Sequence, residues 1–430
     1  MAMSTEKLNF EWAEKCLSFI NESVSCYHAV ENVEKQLAER GFVCLDEKNA
    51  WKLTPGGSYY VKRGGSSLAA FKIPNSDIKG FHMTASHSDS PCFKIKTNPE
   101  MTLEDKYLKL NVEGYGGMIQ YTWFDRCLSV AGRVVCDGDD GLQSVNVNID
   151  EDLLVIPNLA IHMNRSINKG VELNIQTDLL PLMGGTKVKG KLKEKLAHLA
   201  GVREEEILGS DLFLYVREKG KLAGAEKELM ISPRLDDLEC VFASAQAMIA
   251  AEPKDYCNVC VVFNHEEVGN HTREGAASTF LRDTLERIGE SLGKTGSEYL
   301  RLLADSFMIS ADNAHALHPN HPEKADPENK PVLNGGIVVK HHGGQRYTTD
   351  GYSEAFMKSL CRKAQVPLQD YHNRSDIEGG STLGNVSTGQ VSVFSADIGL
   401  AQLAMHSAVE TAGSADVEYL IRVLKKFYEE

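Results

Sequence analysis

The sequence predicts an α/β fold interrupted by a β-rich insertion, and three observations predict it. A strand-then-helix rhythm runs from about residue 232 onward, the alternation that builds a partly parallel sheet covered by helices. Residues 92 to 231 lose that rhythm and alternate polar with apolar residues, broken by Gly, Asn and Asp, which is an antiparallel pattern. At 430 residues the chain is too long for one simple core, so two domains are expected. The division places an α/β domain in residues 1–91 and 232–430 and the β-rich insert in 92–231.

Taken in order, a helix is expected over roughly 9–22, where charges recur at helical spacing, then strands around YYVKRG, SLAAFKI and GFHMTASH. In the insert, KIKTNPEM, YLKLNVEGY, SVAGRVVCDG and LQSVNVNID read as strands, and TKVKGKLKEKLAHLAGV as an amphipathic helix. DDLECVFASAQAMIAA reads as a helix because Asp stands at its start and apolar residues follow at three-to-four spacing. CNVCVVF is a short apolar run suited to a buried strand, STFLRDTLERIGESL a helix and SFMISAD a strand. GYSEAFMKSLCRKAQV and VEYLIRVLKKFYEE are helices, with short strands before each. No internal repeat or low-complexity tract appears.

Hydrophobic residues make up 42% of the chain and charged residues 25%, the balance of an ordinary soluble globular protein. A formal net charge of −14 with no basic stripe excludes nucleic acid as a partner, because phosphate binding needs concentrated Lys and Arg. No segment approaches the roughly 20 apolar residues of a membrane span, and MAMSTEKLNFEWAEKCLSFINES lacks an apolar signal core. A cytoplasmic protein with no membrane partner is expected. Ten cysteines are too sparse for a disulfide framework and suit a reducing compartment. The one Cys-x-x-Cys, Cys257 and Cys260, lies inside the apolar strand with no second pair and reads as two small core hydrophobes.

In open α/β sheets, ligands collect beyond the carboxyl ends of strands. The polar residues after strand-like runs are His87 and Asp89 after FHMTAS, Asp236 and Asp237 after LMISPRL, and Glu266 and Glu267 after VVFNH. Asp312 follows SFMIS, with His315 and His318 close behind, and His406 follows LAQLAM. Alone, each has an ordinary explanation: an Asp before a helix is an N-cap, and a His near a core strand is a hydrogen-bonded core or surface residue. As a set, mixed His and carboxylate donors suit zinc or a similar divalent ion, and dispersed ligands are the habit of catalytic sites in large folds. No His-Glu-x-x-His helix is present, which excludes that mononuclear metalloprotease arrangement.

The adjacent pair Glu266 and Glu267 sharpens the inference. Burying an unpaired carboxylate costs roughly several kcal/mol. A divalent cation removes that cost for the carboxylate that ligates it, and the other can take a proton from water as a general base. Neighbours on an ideal strand face opposite ways, so the pair is expected where strand gives way to loop, a turn that Gly269 fits. In His87-x-Asp89, a carboxylate two residues on can hydrogen-bond the other nitrogen of a ligating imidazole.

The motifs HSDSPCFKIK, EGYGGMIQYTWFDRCLSVAGRV, IPNLAIHMNR, ISPRLDDLEC, NHEEVGN, ISADNAHALHPN, SDIEGGSTLGN and QLAMHS occur in this order. Together they resemble the aspartyl aminopeptidase family of dizinc metallopeptidases, in its bacterial type, from about residue 10 to the C-terminus. The resemblance implies an aminopeptidase-type α/β/α sandwich whose inserted β-rich domain builds a tetrahedral dodecamer, so a homo-oligomer is expected. It implies two divalent ions per subunit, zinc first, with manganese or cobalt as substitutes. By position, His87 would ligate one ion, Asp236 bridge both, Asp312 complete the first set, and Glu267 and His406 complete the second. Glu266 resembles the general base and Asp89 the residue that orients His87. His315, Lys340 in GIVVKHH and Tyr347 in QRYTT resemble residues lining the substrate pocket, and His162 in LAIHMN the histidine that reaches a neighbouring subunit's active site.

The implied reaction removes an acidic N-terminal residue, Asp or Glu, from peptides with a free N-terminus, and Lys340 is the positive group for such a side chain. SDIEGGSTLGN departs from the family pattern, with Ile-Glu-Gly at 377–379 and Asn385 where proline is common. Glu378, if it faces the pocket, would repel an acidic side chain. Two enzyme alternatives follow, a dizinc aminopeptidase preferring neutral N-terminal residues and a deacylase of N-acyl amino acids. A catalytically silent assembly protein is a third, against which stands the retention of Glu266 and Asp236.

Overall fold

Four apolar runs, Tyr256–Phe263, Gly80–His87, Phe307–Ala311 and Phe394–Gly399, lie side by side in that order and run parallel. In this computed structural model, which describes residues 10–138 and 141–430, they form the centre of a nine-stranded sheet. Both of their faces are covered, which is why they read as continuous apolar runs rather than as alternations. Ser67–Lys72, Ser58–Arg63 and Val43–Leu45 extend one side, and Ile337–His341 and Leu368–His372 the other.

Period-two geometry sends successive side chains into two cores. Cys257, Val259, Val261 and Phe263 enter one, shared with Phe280, Leu285 and Ile288 of helix Phe280–Ser291. Cys260 and Val262 enter the other, shared with helices Glu11–Glu22, Leu235–Ala250 and Asp416–Tyr428 through Leu17, Leu238 and Leu420. Helices therefore cover both sheet faces, and Cys257 and Cys260 are buried free thiols. Two helices lack a clear signal in the sequence. Cys26–Glu39 packs through Cys26, Tyr27, Ala29, Val30, Val33 and Leu37 and carries no charge signal at either end, and Ser297–Ala304 buries only Leu302.

Residues 92–216 carry a six-stranded antiparallel sheet in the order Gly141–Asn148, Leu128–Gly138, Ile207–Val216, Cys92–Leu103, Tyr107–Tyr115, Leu182–Gly185. It has its own core around Phe93, Leu110, Trp123, Val130 and Leu214, closed by Leu192 and Leu196 of helix Lys191–Ala200. A five-stranded sheet, Lys221–Ala223, Leu229–Ser232, Glu410–Gly413, Ala401–Leu403 and Ala314–His315, brings together segments distant in sequence. No helix among the described residues is long and apolar enough to cross a membrane.

Candidate metal centre

The parallel register aligns Phe263 with His87, and Ser310 with Ala85, so the central strands end along one edge. His87 is the last residue of its strand, and Asp312 follows the strand Phe307–Ala311 directly. After Phe263 the chain leaves the strand through His265 at φ 63°, makes a single 3₁₀ turn over Glu266–Val268, and stops at Gly269, φ 98°. That turn replaces strand alternation, so Glu266 and Glu267 need not face opposite sides. Asp236 and Asp237 precede the regular part of their helix, with non-helical φ/ψ, a cis peptide bond between them and no side-chain cap. His406, at φ 66°, lies in the turn between Ala401–Leu403 and Glu410–Gly413.

These side chains converge. Ligand atoms of His87, Asp236, Asp237 and Asp312 lie within 4.8 Å of one another, as do those of His87, Glu266 and Glu267 and those of Asp236, Glu267 and His406. His87 Nε2 is 3.6 Å from Asp236 Oδ1, and His406 Nε2 is 3.3 Å from Asp236 Oδ2 and 3.4 Å from Glu267 Oε2. Each imidazole meets a backbone carbonyl on its other side: His87 Nδ1 is 3.1 Å from Asp89 O, and His406 Nδ1 is 2.9 Å from Gly117 O. A carbonyl can only accept, so Nδ1 carries the proton and Nε2 presents a lone pair to the cluster, the tautomer of a metal ligand.

The electrostatics call for cations. Asp236 Oδ1, Asp237 Oδ1 and Glu267 Oε1 are buried without a hydrogen-bond partner, a costly state for a carboxylate. Burial pushes Glu266 up to about 8, with Asp312, Asp89 and Asp236 adding to the effect against His87. Burial likewise drives Asp237 and Glu267 well above the usual carboxylate range. Burial would raise Asp236 too, yet His406 and His87 beside it hold it low. Carboxylates this crowded cannot all ionise without added positive charge. Divalent cations on these mixed nitrogen and oxygen donors would supply it, so the residues fit zinc or a similar ion.

Asp89 holds the site from below. Its carboxylate accepts the Tyr115 hydroxyl at 2.7 Å and the backbone N–H groups of Glu266 and Glu267 at 3.2 Å each. That carboxylate also lies beside the His87 ring, Oδ1 3.5 Å from Nδ1, and the Asp89 carbonyl is the nearer acceptor. Glu410, which no motif marks, accepts the backbone N–H of His406 at 2.7 Å and of Asp236 at 3.0 Å, tying two donors together. Its signal in the sequence is only a glutamate four residues after His406. Tyr115 and Gly117 belong to EGYGG, which the resemblance singles out without giving either a role.

A cavity of about 280 Å³ opens over the cluster, lined by His87, Asp236, Glu266, Asp312 and His406 together with His315, Lys340 and Tyr347. Lys340 is buried; its ammonium donates to the carbonyls of Asp312 at 2.7 Å and Asn313 at 3.2 Å and lies 3.7 Å from Asp312 Oδ1. Glu378 does not line this cavity: it is exposed, pairs with Arg346 and borders a separate hollow beside His342. His162 is exposed and does not line this cavity within the chain, and His318 lines a neighbouring cavity.

The model of the aminopeptidase I zinc metalloprotease (M18) family matches residues 19–428. The chain is similar to "Probable M18 family aminopeptidase 2" of Clostridium novyi (strain NT), 44% identical over 430 residues, covering 98% of this chain and 99% of that protein. Among solved structures it resembles a chain in the cryo-EM structure of the Ape4 and Nbr1 complex, at TM-score 0.95 and 36% identity, covering 99% of this chain and 87% of that one. The S. cerevisiae mApe1 dodecamer matches at TM-score 0.86 and 27% identity, with 97% and 96% covered.

Proposed function

The chain belongs to the M18 family of aminopeptidase I zinc metalloproteases, and from that membership we propose that it removes acidic N-terminal residues from peptides with a free α-amine, using two zinc ions per subunit. The deacylase alternative falls with the family assignment. The observation that carries the reading is the convergence of His87, Asp236, Glu267, Asp312 and His406, with Glu266 beside them facing the cavity and its side chain in no hydrogen bond among the described residues. His87, Asp236 and Asp312 would hold one zinc, and Asp236, Glu267 and His406 the other, with manganese or cobalt fitting the same donors. Bound there, the ions supply Lewis acidity toward the scissile carbonyl and lower the pKa of the attacking water. Glu266 takes that water's proton as it attacks and delivers it to the leaving amine. Asp89 keeps the Glu266 backbone and the His87 ring in place. His315, on the cavity wall, donates to the oxygen that gains charge.

For the substrate side chain, two N–H groups of Lys340 are spent on carbonyls, and the third, beside the Tyr347 ring at 5.3 Å, is left for an acidic group. Glu378 lies outside the cavity and presents no repulsion. A preference for neutral residues is the second reading, favoured by the pairing of Lys340 with Asp312. Asp, Glu, Leu and Lys aminoacyl chromogenic substrates, assayed on metal-stripped protein with each metal restored, separate them. The acidic reading expects kcat/KM for Asp or Glu about tenfold or more above Leu, whereas Leu on top would replace it with the neutral one.

We read residues 92–231 as the assembly domain of a homo-oligomer, a dodecamer as in the S. cerevisiae relative. Support comes from Leu159, Ile161 and Met163, which are 53%, 53% and 74% exposed on one loop around His162. In such an assembly His162 would reach a neighbour's cavity. Ten free cysteines support a reducing, cytoplasmic setting.

A further inference from the structure

Beside the metal cavity lies a second one of about 430 Å³, and the two share His315 and Tyr371 in their walls. Its lining comes from segments 315–331, 371–379 and 402–404. On a chain of formal charge −14, this lining includes Lys324, Lys330 and Arg374 and no aspartate or glutamate. Arg374 is held by Asp376, its Nε and Nη2 donating at 2.8 and 2.7 Å. Lys324 and Lys330 are exposed and make no salt bridge among the described residues, although Glu323 and Asp376 lie within electrostatic range of Lys324. The histidines add donors: the rings of His318 and His321 are 5.1 Å apart, with Glu323 reaching His321 from outside the lining. Pro331 and Ile377 supply apolar wall between the charges.

We infer that this cavity receives the residues on the C-terminal side of the scissile bond and selects carboxylates there, from an acidic side chain at the second or third position or from the C-terminus of a short peptide. The inference rests on the proposed reading of the metal cavity. With the α-amine and first side chain taken up over the zinc donors, the rest of the peptide leaves past His315 and Tyr371, where the two cavities join. Lys324 and Lys330, lining the hollow without a salt bridge, attract carboxylates and repel cationic residues.

Tripeptide amides sharing their first residue and carrying Glu-Glu, Ala-Ala or Lys-Lys behind it test this. At low ionic strength kcat/KM should favour Glu-Glu over Lys-Lys by about tenfold, narrowing as salt shortens the Debye length. K324E/K330E should abolish or invert that ratio, which does not depend on the fraction of active enzyme. Comparing the Ala-Ala amide with its free acid reads the C-terminal carboxylate, and a gain confined to the free acid supports that source. The inference is overturned if wild type shows no discrimination in either arm, or if the ratio survives the double variant. Hydrolysis of a chromogenic aminoacyl amide by wild type, with no residue to enter the cavity, reads the aminopeptidase proposal separately. Its failure would sink that proposal, whereas its success beside a flat tripeptide profile would sink this one alone.

Discussion

Glu266 and Glu267 are neighbours with different surroundings. Glu267 is paired with His406 at 3.4 Å, while the Glu266 side chain lines the cavity in no hydrogen bond among the described residues. Glu266→Gln should therefore retain two metal ions by elemental analysis and lose turnover by about 10²–10⁴-fold, the usual range for a general base. Near wild-type turnover in the purified variant would remove Glu266 from that role. The proposed donors were legible in the sequence because His87, Glu267 and Asp312 follow apolar runs that end along one edge of the parallel sheet, whereas Asp236 and His406 reach the cluster from strands of the five-stranded sheet. Glu410 was not legible. It acts on the main-chain N–H groups of Asp236 and His406, and a carboxylate serving backbone leaves no pattern in the residues it serves.

At the scale of elements, close approach and burial decide. A Cβ on Gly399 would lie 2.1 Å from the carbonyl oxygen of Asp312, just past the end of the neighbouring strand, and Lys340 holds that same oxygen. Gly399→Ala should displace Asp312, costing about 1–3 kcal/mol in unfolding experiments and weakening zinc retention. A variant unchanged in both would show that the strand end yields without moving the donor. On the strand Gly80–His87, His82 stacks between Tyr256 and Phe427 at 3.9 and 4.5 Å, its Nδ1 without a partner, and burial pushes its pKa down to about 4. The unfolded chain takes this proton near 6.5 and the folded one only near 4, so its contribution is complete above about 6.5 and is lost as pH falls toward about 4. The loss amounts to about 3 kcal/mol at about 1.4 kcal/mol per pH unit. Denaturation midpoints of His82→Phe should fall less steeply than wild type across that window; parallel curves would refute the assignment. Central strands were readable as continuous apolar runs, and long amphipathic helices from periodicity. The helix Cys26–Glu39 was obscured because it carries no acidic residue in its first turn and no basic one in its last.

For the whole molecule, the crowded carboxylates would make bound metals part of the fold's stability as well as of its chemistry. Stripping them with a chelator should abolish turnover and lower the melting temperature, since ligand at a thousand times its Kd contributes about 4 kcal/mol. Restoring zinc should recover both, and an unchanged melting temperature would mean the folded chain tolerates its acids alone. The proposed donors run from His87 to His406, and no stretch shorter than most of the chain contains them all. A nascent polypeptide still attached to the ribosome therefore carries His87 and the glutamate pair long before it can cleave anything. The proposed cluster stays incomplete until His406 has emerged, close to the end of synthesis.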